Sequence, residues 1–81
     1  MQSILTLSAL QDGQSAIVRM VHGTGAMYER LCDLGFTQDS HVTCLFSSVF
    51  GDPKAYRIKG SVIALRNSDA ARIECMLGGN E

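Results

Sequence analysis

The run Arg30-Leu31-Cys32-Asp33-Leu34-Gly35-Phe36 constrains this chain more than any other feature. Met27, Leu31 and Leu34 recur at i, i+4 and i+7, the helical period, while Glu29, Arg30 and Asp33 fall on the other sides. Thr24 is a residue type that caps helix N-termini, and Gly35 stands where a helix closes with a left-handed residue. The spacing predicts a helix over residues 25–34, with Phe36 returning to the core just after it. On both sides the pattern changes to the two-residue alternation of strands. One short helix let into β-patterned sequence, in a chain of 81 residues, leaves few architectures open.

Leu5 and Leu7 alternate ahead of the polar cluster Gln11-Asp12-Gly13-Gln14, as an edge strand or an extended lead-in. Ser15 to Val21 reads as a strand with Ala16, Val18 and Met20 on one face and Ile17, Arg19 and Val21 on the other. His41 to Phe46 alternates again, with Val42, Cys44 and Phe46 together. Ser47 to Pro53 is a loop ending in the turn-forming Gly51-Asp52-Pro53. Ala55 to Lys59 and Val62 to Arg66 form a hairpin closed at Gly60-Ser61. Asn67 to Ala71 makes one helical turn, Arg72 to Leu77 the last strand, and Gly78 to Glu81 a frayed tail. The fold class expected is mainly β: a small, closed, SH3-like barrel of about five strands with one short α-helix inserted. It is a single domain over residues 1–81, with its core in about 5–77.

Composition narrows the function. Seven basic against eight acidic side chains give a formal charge of −1, and the Arg residues are interspersed with Asp and Glu. Non-specific nucleic-acid affinity is largely electrostatic and needs a basic face, so nucleic acid is not an expected partner. No window approaches the roughly 20 apolar residues of a membrane span, and no signal peptide is evident at the start. A protein that is not itself membrane-inserted, working in the cytoplasm, is the expectation. The three cysteines are an odd number without a CxxC pair, which argues against a secreted disulfide framework.

The chemistry-bearing residues are few. His22-Gly23-Thr24-Gly25 lacks the third glycine of a dinucleotide fingerprint, because Tyr28 occupies its position, and no Lys-Ser/Thr follows to make a P-loop. Cys44 and Cys75 fall on apolar strand faces, where a free cysteine behaves as a small hydrophobe, and Met20, Met27 and Met76 read as core filler. The paired ligand spacing of a structural zinc site is missing, so the metal alternative rests on His22, His41 or Cys32, with a weak surface site made from His22 or His41 and a carboxylate. Cys32 with one of those histidines is also the one candidate set for nucleophilic catalysis. Ligand clefts usually run to roughly 300–1,000 Å³, for which so short a chain has little room. No enzymatic activity is expected. Recognition then falls to the helix and its flanking loops, around His22 to Tyr28 and Phe36 to Asp39, with the Gly51-Asp52-Pro53 turn as a second candidate and Tyr28 and Arg30 as anchor types.

In order along the chain, Leu7-x-x-Leu10-x-x-Gly13, Ala16-x-Val18, Arg30-Leu31-x-Asp33-Leu34-Gly35-Phe36, Val42-x-Cys44 and Gly51-Asp52-Pro53 are followed by Tyr56-x-Ile58-x-Gly60, Ile63-Ala64-Leu65-Arg66 and Asp69-Ala70-x-x-Ile73. This ordered set, from about Leu5 to Leu77, resembles the FeoA family of the bacterial ferrous iron transport system. Many relatives carry Pro-Gly after the helix where this chain has Gln38-Asp39, and Asp tolerates left-handed geometry better than most residues. The resemblance implies an SH3-like barrel that supports or regulates the FeoB-type permease through its cytoplasmic GTP-binding domain, peripheral at the inner membrane through that partner. The same domain type occurs at the C-terminus of repressors of the diphtheria toxin repressor class. The alternative it implies is therefore a stand-alone regulatory domain with a weakly bound transition metal ion, iron or zinc.

Overall fold

The computed structural model describes residues 3–77, and the tail expected over Gly78 to Glu81 lies outside them. Its elements in order are β1 (Ile4–Thr6), a 3₁₀ turn (Leu7–Ala9), β2 (Ser15–Val21), α1 (Gly25–Asp33), β3 (His41–Ser47), β4 (Lys54–Ile58), β5 (Ser61–Leu65), α2 (Asn67–Ala70) and β6 (Ile73–Leu77). All pairings are antiparallel, in one six-stranded sheet of order β1-β6-β2-β3-β4-β5. The lead-in is thus a sixth strand, and among the described residues no ladder joins β1 to β5, so the sheet is not the closed barrel expected. SH3-like remains the right class. Leu7, after one edge strand, and Leu65, at the end of the other, enter the same core as Val18, Leu31, Phe36, Tyr56, Ile58 and Ile73.

The helix terminus follows its sequence signals closely. The Gly35 N–H donates to the Cys32 carbonyl at 3.0 Å and the Phe36 N–H to the Leu31 carbonyl at 3.1 Å, the two bonds of a Schellman closure. Gly35 takes φ +116°, a conformation that strains any residue with a Cβ. Leu31 and Phe36, the apolar pair that accompanies this motif, are both fully buried. Thr24 has the extended backbone of an N-cap but makes no capping hydrogen bond with its side chain. Asp39 takes φ +71°, the left-handed geometry that Asp tolerates better than most residues.

Two expectations fail for one physical reason. A register shift between Val18 and Met20 in the β2/β6 ladder, and another between Cys44 and Phe46 in the β3/β4 ladder, each interrupt the alternation. A bulge adds one residue to one strand and turns the following side chains to the opposite face. Met20 and Phe46, expected in the core, are therefore 54% and 59% exposed. The β4/β5 connection also sits one residue earlier than expected, on Lys59 (φ +49°) and Gly60 (φ +79°), the two positive φ values of a type I′ turn.

Polar groups complete the frame. The Lys54 ammonium turns inward and donates to the carbonyls of Ser8 (2.7 Å) and Leu10 (2.8 Å), binding the 3₁₀ turn to β4. The buried Tyr56 hydroxyl donates to the Leu7 carbonyl, and burial pushes its ionisation well above the ordinary value.

Candidate functional site

Where α1 crosses the bulged end of β2, the chain forms an open cleft of about 220 Å³. Arg19, Met20, Tyr28, Cys32, Phe36 and Gln38 line it. The bulge supplies Met20, and the helical repeat brings Tyr28 and Cys32, four residues apart, onto one face. Cys32 raises the Tyr28 phenol above its ordinary 10.0, first through side-chain hydrogen bonding and then through charge. The ring is therefore a neutral hydrogen-bonding group at neutral pH. Tyr28 lines the cleft and is 39% exposed, and tyrosine is among the residue types enriched at protein interfaces.

One acidic residue organises the rim. Glu74 of β6 accepts from Arg19 Nε at 3.2 Å and lies 3.1 Å from His22 Nε2 through its other oxygen. This fork holds Arg19 at the cleft edge, and at such exposure its net contribution to stability is small, about 0–1 kcal/mol.

The residues named from sequence separate into distinct places. Tyr28 is in the cleft, and His22 is at its rim, engaged by Glu74. Phe36 lines the cleft but is fully buried, carried into the core by the Schellman closure, as its return to the core after the helix required. Arg30 is exposed but lies two residues from Tyr28, about 200° around the helix, so the two anchors do not share a face. Asp52 is tied to the fold, its carboxylate accepting the Asn67 N–H of α2 at 2.9 Å.

His22, Cys32 and His41 do not converge. In the ladder His41 faces Ile17, near the start of β2, whereas His22 follows the other end of that strand. Among the described residues no group of three His, Cys, Asp or Glu side chains gathers to hold a metal ion. Cys44 and Cys75 are buried and unpaired, and burial pushes the Cys75 thiol from its ordinary 9.0 to about 12. Gln38 falls within the Phe36 to Asp39 stretch expected at the contact surface, whereas sequence reasoning missed Arg19 and Met20, which only the bulge and the helix crossing bring there.

Comparison with known proteins decides the family. The FeoA domain model matches residues 5–77, nearly the whole chain. The chain belongs to the FeoA family. It is 34% identical over 73 residues to an Fe(2+) transport protein A/Fe(2+) transporter FeoB fusion protein of Porphyromonas gingivalis, covering 90% of this chain and spanning 9% of that relative's length. The zinc-complexed FeoA of Stenotrophomonas maltophilia, an SH3 domain protein, is 32% identical over 88% of each chain, with a TM-score of 0.78. The iron(II) transport protein A of Clostridium thermocellum is 28% identical, covering 93% of this chain and 46% of that one, with a TM-score of 0.88. Membership of FeoA links the chain to ferrous iron transport. Among the described residues no helix is long and apolar enough to cross a membrane.

Proposed function

We propose that the chain is a non-enzymatic accessory protein of ferrous iron uptake, acting by contact with the cytoplasmic GTP-binding domain of a FeoB-type transporter. The observation that carries this is the fusion relative, in which the matching sequence and an FeoB transporter are one polypeptide. Joining two modules raises their effective concentration, which serves a contact between them. The cleft agrees in size. About 220 Å³ lies below the usual range for small-molecule sites and suits one or two side chains of a protein partner.

The test is binding of the chain to the transporter's GTP-binding domain, comparing wild type with a Met20→Ser/Tyr28→Ala variant of unchanged Tm. The expected outcome is roughly tenfold or greater weakening, with Arg30→Ala, on the other helix face, as a silent control. Equal affinity of wild type and the double variant removes the cleft from the contact.

A weakly bound transition ion is the second reading, supported by the zinc complex of the Stenotrophomonas maltophilia relative. In this chain its best footing is the His22–Glu74 pair, two of the four ligands that zinc takes.

A further inference from the structure

The turn between β3 and β4 breaks a rule of turn composition. The Gly51 N–H donates to the Ser48 carbonyl at 2.9 Å, which places Val49 and Phe50 at the two central positions of a β-turn. Gly, Pro, Asn, Asp and Ser dominate such positions because they supply the required backbone geometry or hydrogen-bond it locally. Here a β-branched residue and an aromatic stand 94% and 93% exposed. Phe46, at the end of β3 leading into the turn, is also more than half exposed. Single exposed hydrophobes need no explanation, whereas adjacent ones at a loop tip do.

The base of this loop is tightly made. Ser48 N–H donates to the Pro53 carbonyl at 3.0 Å, and Asp52 N–H to Ser48 Oγ at 3.1 Å. From α2, Asn67 Nδ2 donates to the Gly51 carbonyl at 3.0 Å while its backbone N–H is held by the Asp52 carboxylate. The apolar tip is thus presented by a fixed base, so little conformational freedom remains to be lost when it is covered.

We propose that Val49 and Phe50 form an apolar plug that inserts into a hydrophobic pocket on the FeoB-type transporter, a second contact beside the cleft; this rests on the transporter-contact reading above. Three observations select that occupant. The two side chains offer on the order of 300 Å², well short of the roughly 800 Å² per partner of a specific interface, so the tip does not hold a second copy by itself and fits a partner already contacted elsewhere, at the cleft. A lipid surface is disfavoured by charge. The chain carries −1 overall, Asp52 follows the tip, Asp12 accepts from Ser47 behind it, and the Lys54 ammonium is turned inward to Ser8 and Leu10. An anionic leaflet attracts basic segments, and a short apolar insertion without such a patch is weak. The matching sequence and an FeoB transporter are one polypeptide in the Porphyromonas gingivalis relative, which keeps the two modules at high effective concentration.

The experiment measures binding of the full chain to a full-length FeoB-type transporter in nanodiscs, for wild type and a Val49→Ser/Phe50→Ser variant, with Tm and binding to phosphatidylglycerol vesicles recorded for both. The expected result is an unchanged Tm, no vesicle binding, and roughly 30-fold or greater loss of transporter affinity in the variant. Equal affinity of the two proteins overturns the plug while leaving the transporter contact standing. No binding by wild type overturns both. A Tm drop in the variant shows that the tip packs on its own sheet, and vesicle binding that the variant loses reassigns it to lipid. Either result overturns the proposal.

Discussion

The excursion between β2 and β3 and the turn between β3 and β4 are both irregular segments leaving the same sheet, but they are anchored in opposite ways. The first is fixed by side chains that point inward: Leu31 and Phe36 are fully buried, and the Schellman closure joins them across the helix end. The second is fixed by hydrogen bonds at its base, while Val49 and Phe50 point outward. A segment anchored by its core residues has only its rim, Tyr28 among it, to offer a partner. A segment anchored by its backbone can present its largest side chains entirely to a partner. Changes in the first should therefore register in stability, and changes in the second in binding.

The largest effect expected is at Leu31. Leu31→Ala should destabilise by about 2–5 kcal/mol, from lost burial plus the cavity left behind. A chain of this size has about 4–12 kcal/mol in all, at roughly 0.05–0.15 kcal/mol per residue. Thermal melting should shift by at least about 8 °C, at roughly 4–8 °C per kcal/mol. An unshifted Tm would break the comparison, since the helix would then be as dispensable to stability as the turn.

A smaller effect is expected from pH. The folded Cys75 thiol is raised to about 12 from 9.0, so the folded state binds the proton more tightly than the unfolded chain. Its stabilising effect is fully present below 9.0 and is lost as pH rises through about 12. Cys44 is shifted in the same direction by burial. Denaturant titrations from pH 8 to 11 should show falling stability in wild type and a shallower fall in Cys75→Val. Identical slopes would place the alkaline loss elsewhere.

The smallest effect on stability belongs to the turn, where Val49→Ser/Phe50→Ser should leave Tm unchanged.

Much of this division was legible in the sequence. The 3.6-residue period, Gly35 and Phe36 are local signals, and the helix with its closure follows from them directly. Asp39 in left-handed geometry was likewise readable from its residue type. The bulges were not, because a two-residue alternation looks the same whether or not the partner strand matches it residue for residue. Alternation alone therefore puts Met20 and Phe46 inside, and Met20's place in the cleft beside Tyr28 and Gln38 is visible only in the fold. β1, at three residues, is too short for periodicity to separate a strand from a lead-in. The bond from the Asn67 N–H to the Asp52 carboxylate spans 15 residues, so only the fold reveals it. The tip is a different case. Val49 and Phe50 stood in plain sight within a segment read as a loop, and their apolar character was the signal.

The most direct measurement is uptake of labelled ferrous iron by cells that carry the FeoB-type transporter but lack this chain. Wild type should restore uptake. A chain combining Met20→Ser/Tyr28→Ala with Val49→Ser/Phe50→Ser, present at equal abundance and folded, should not. Full restoration by that variant would contradict a role exerted through these two surfaces.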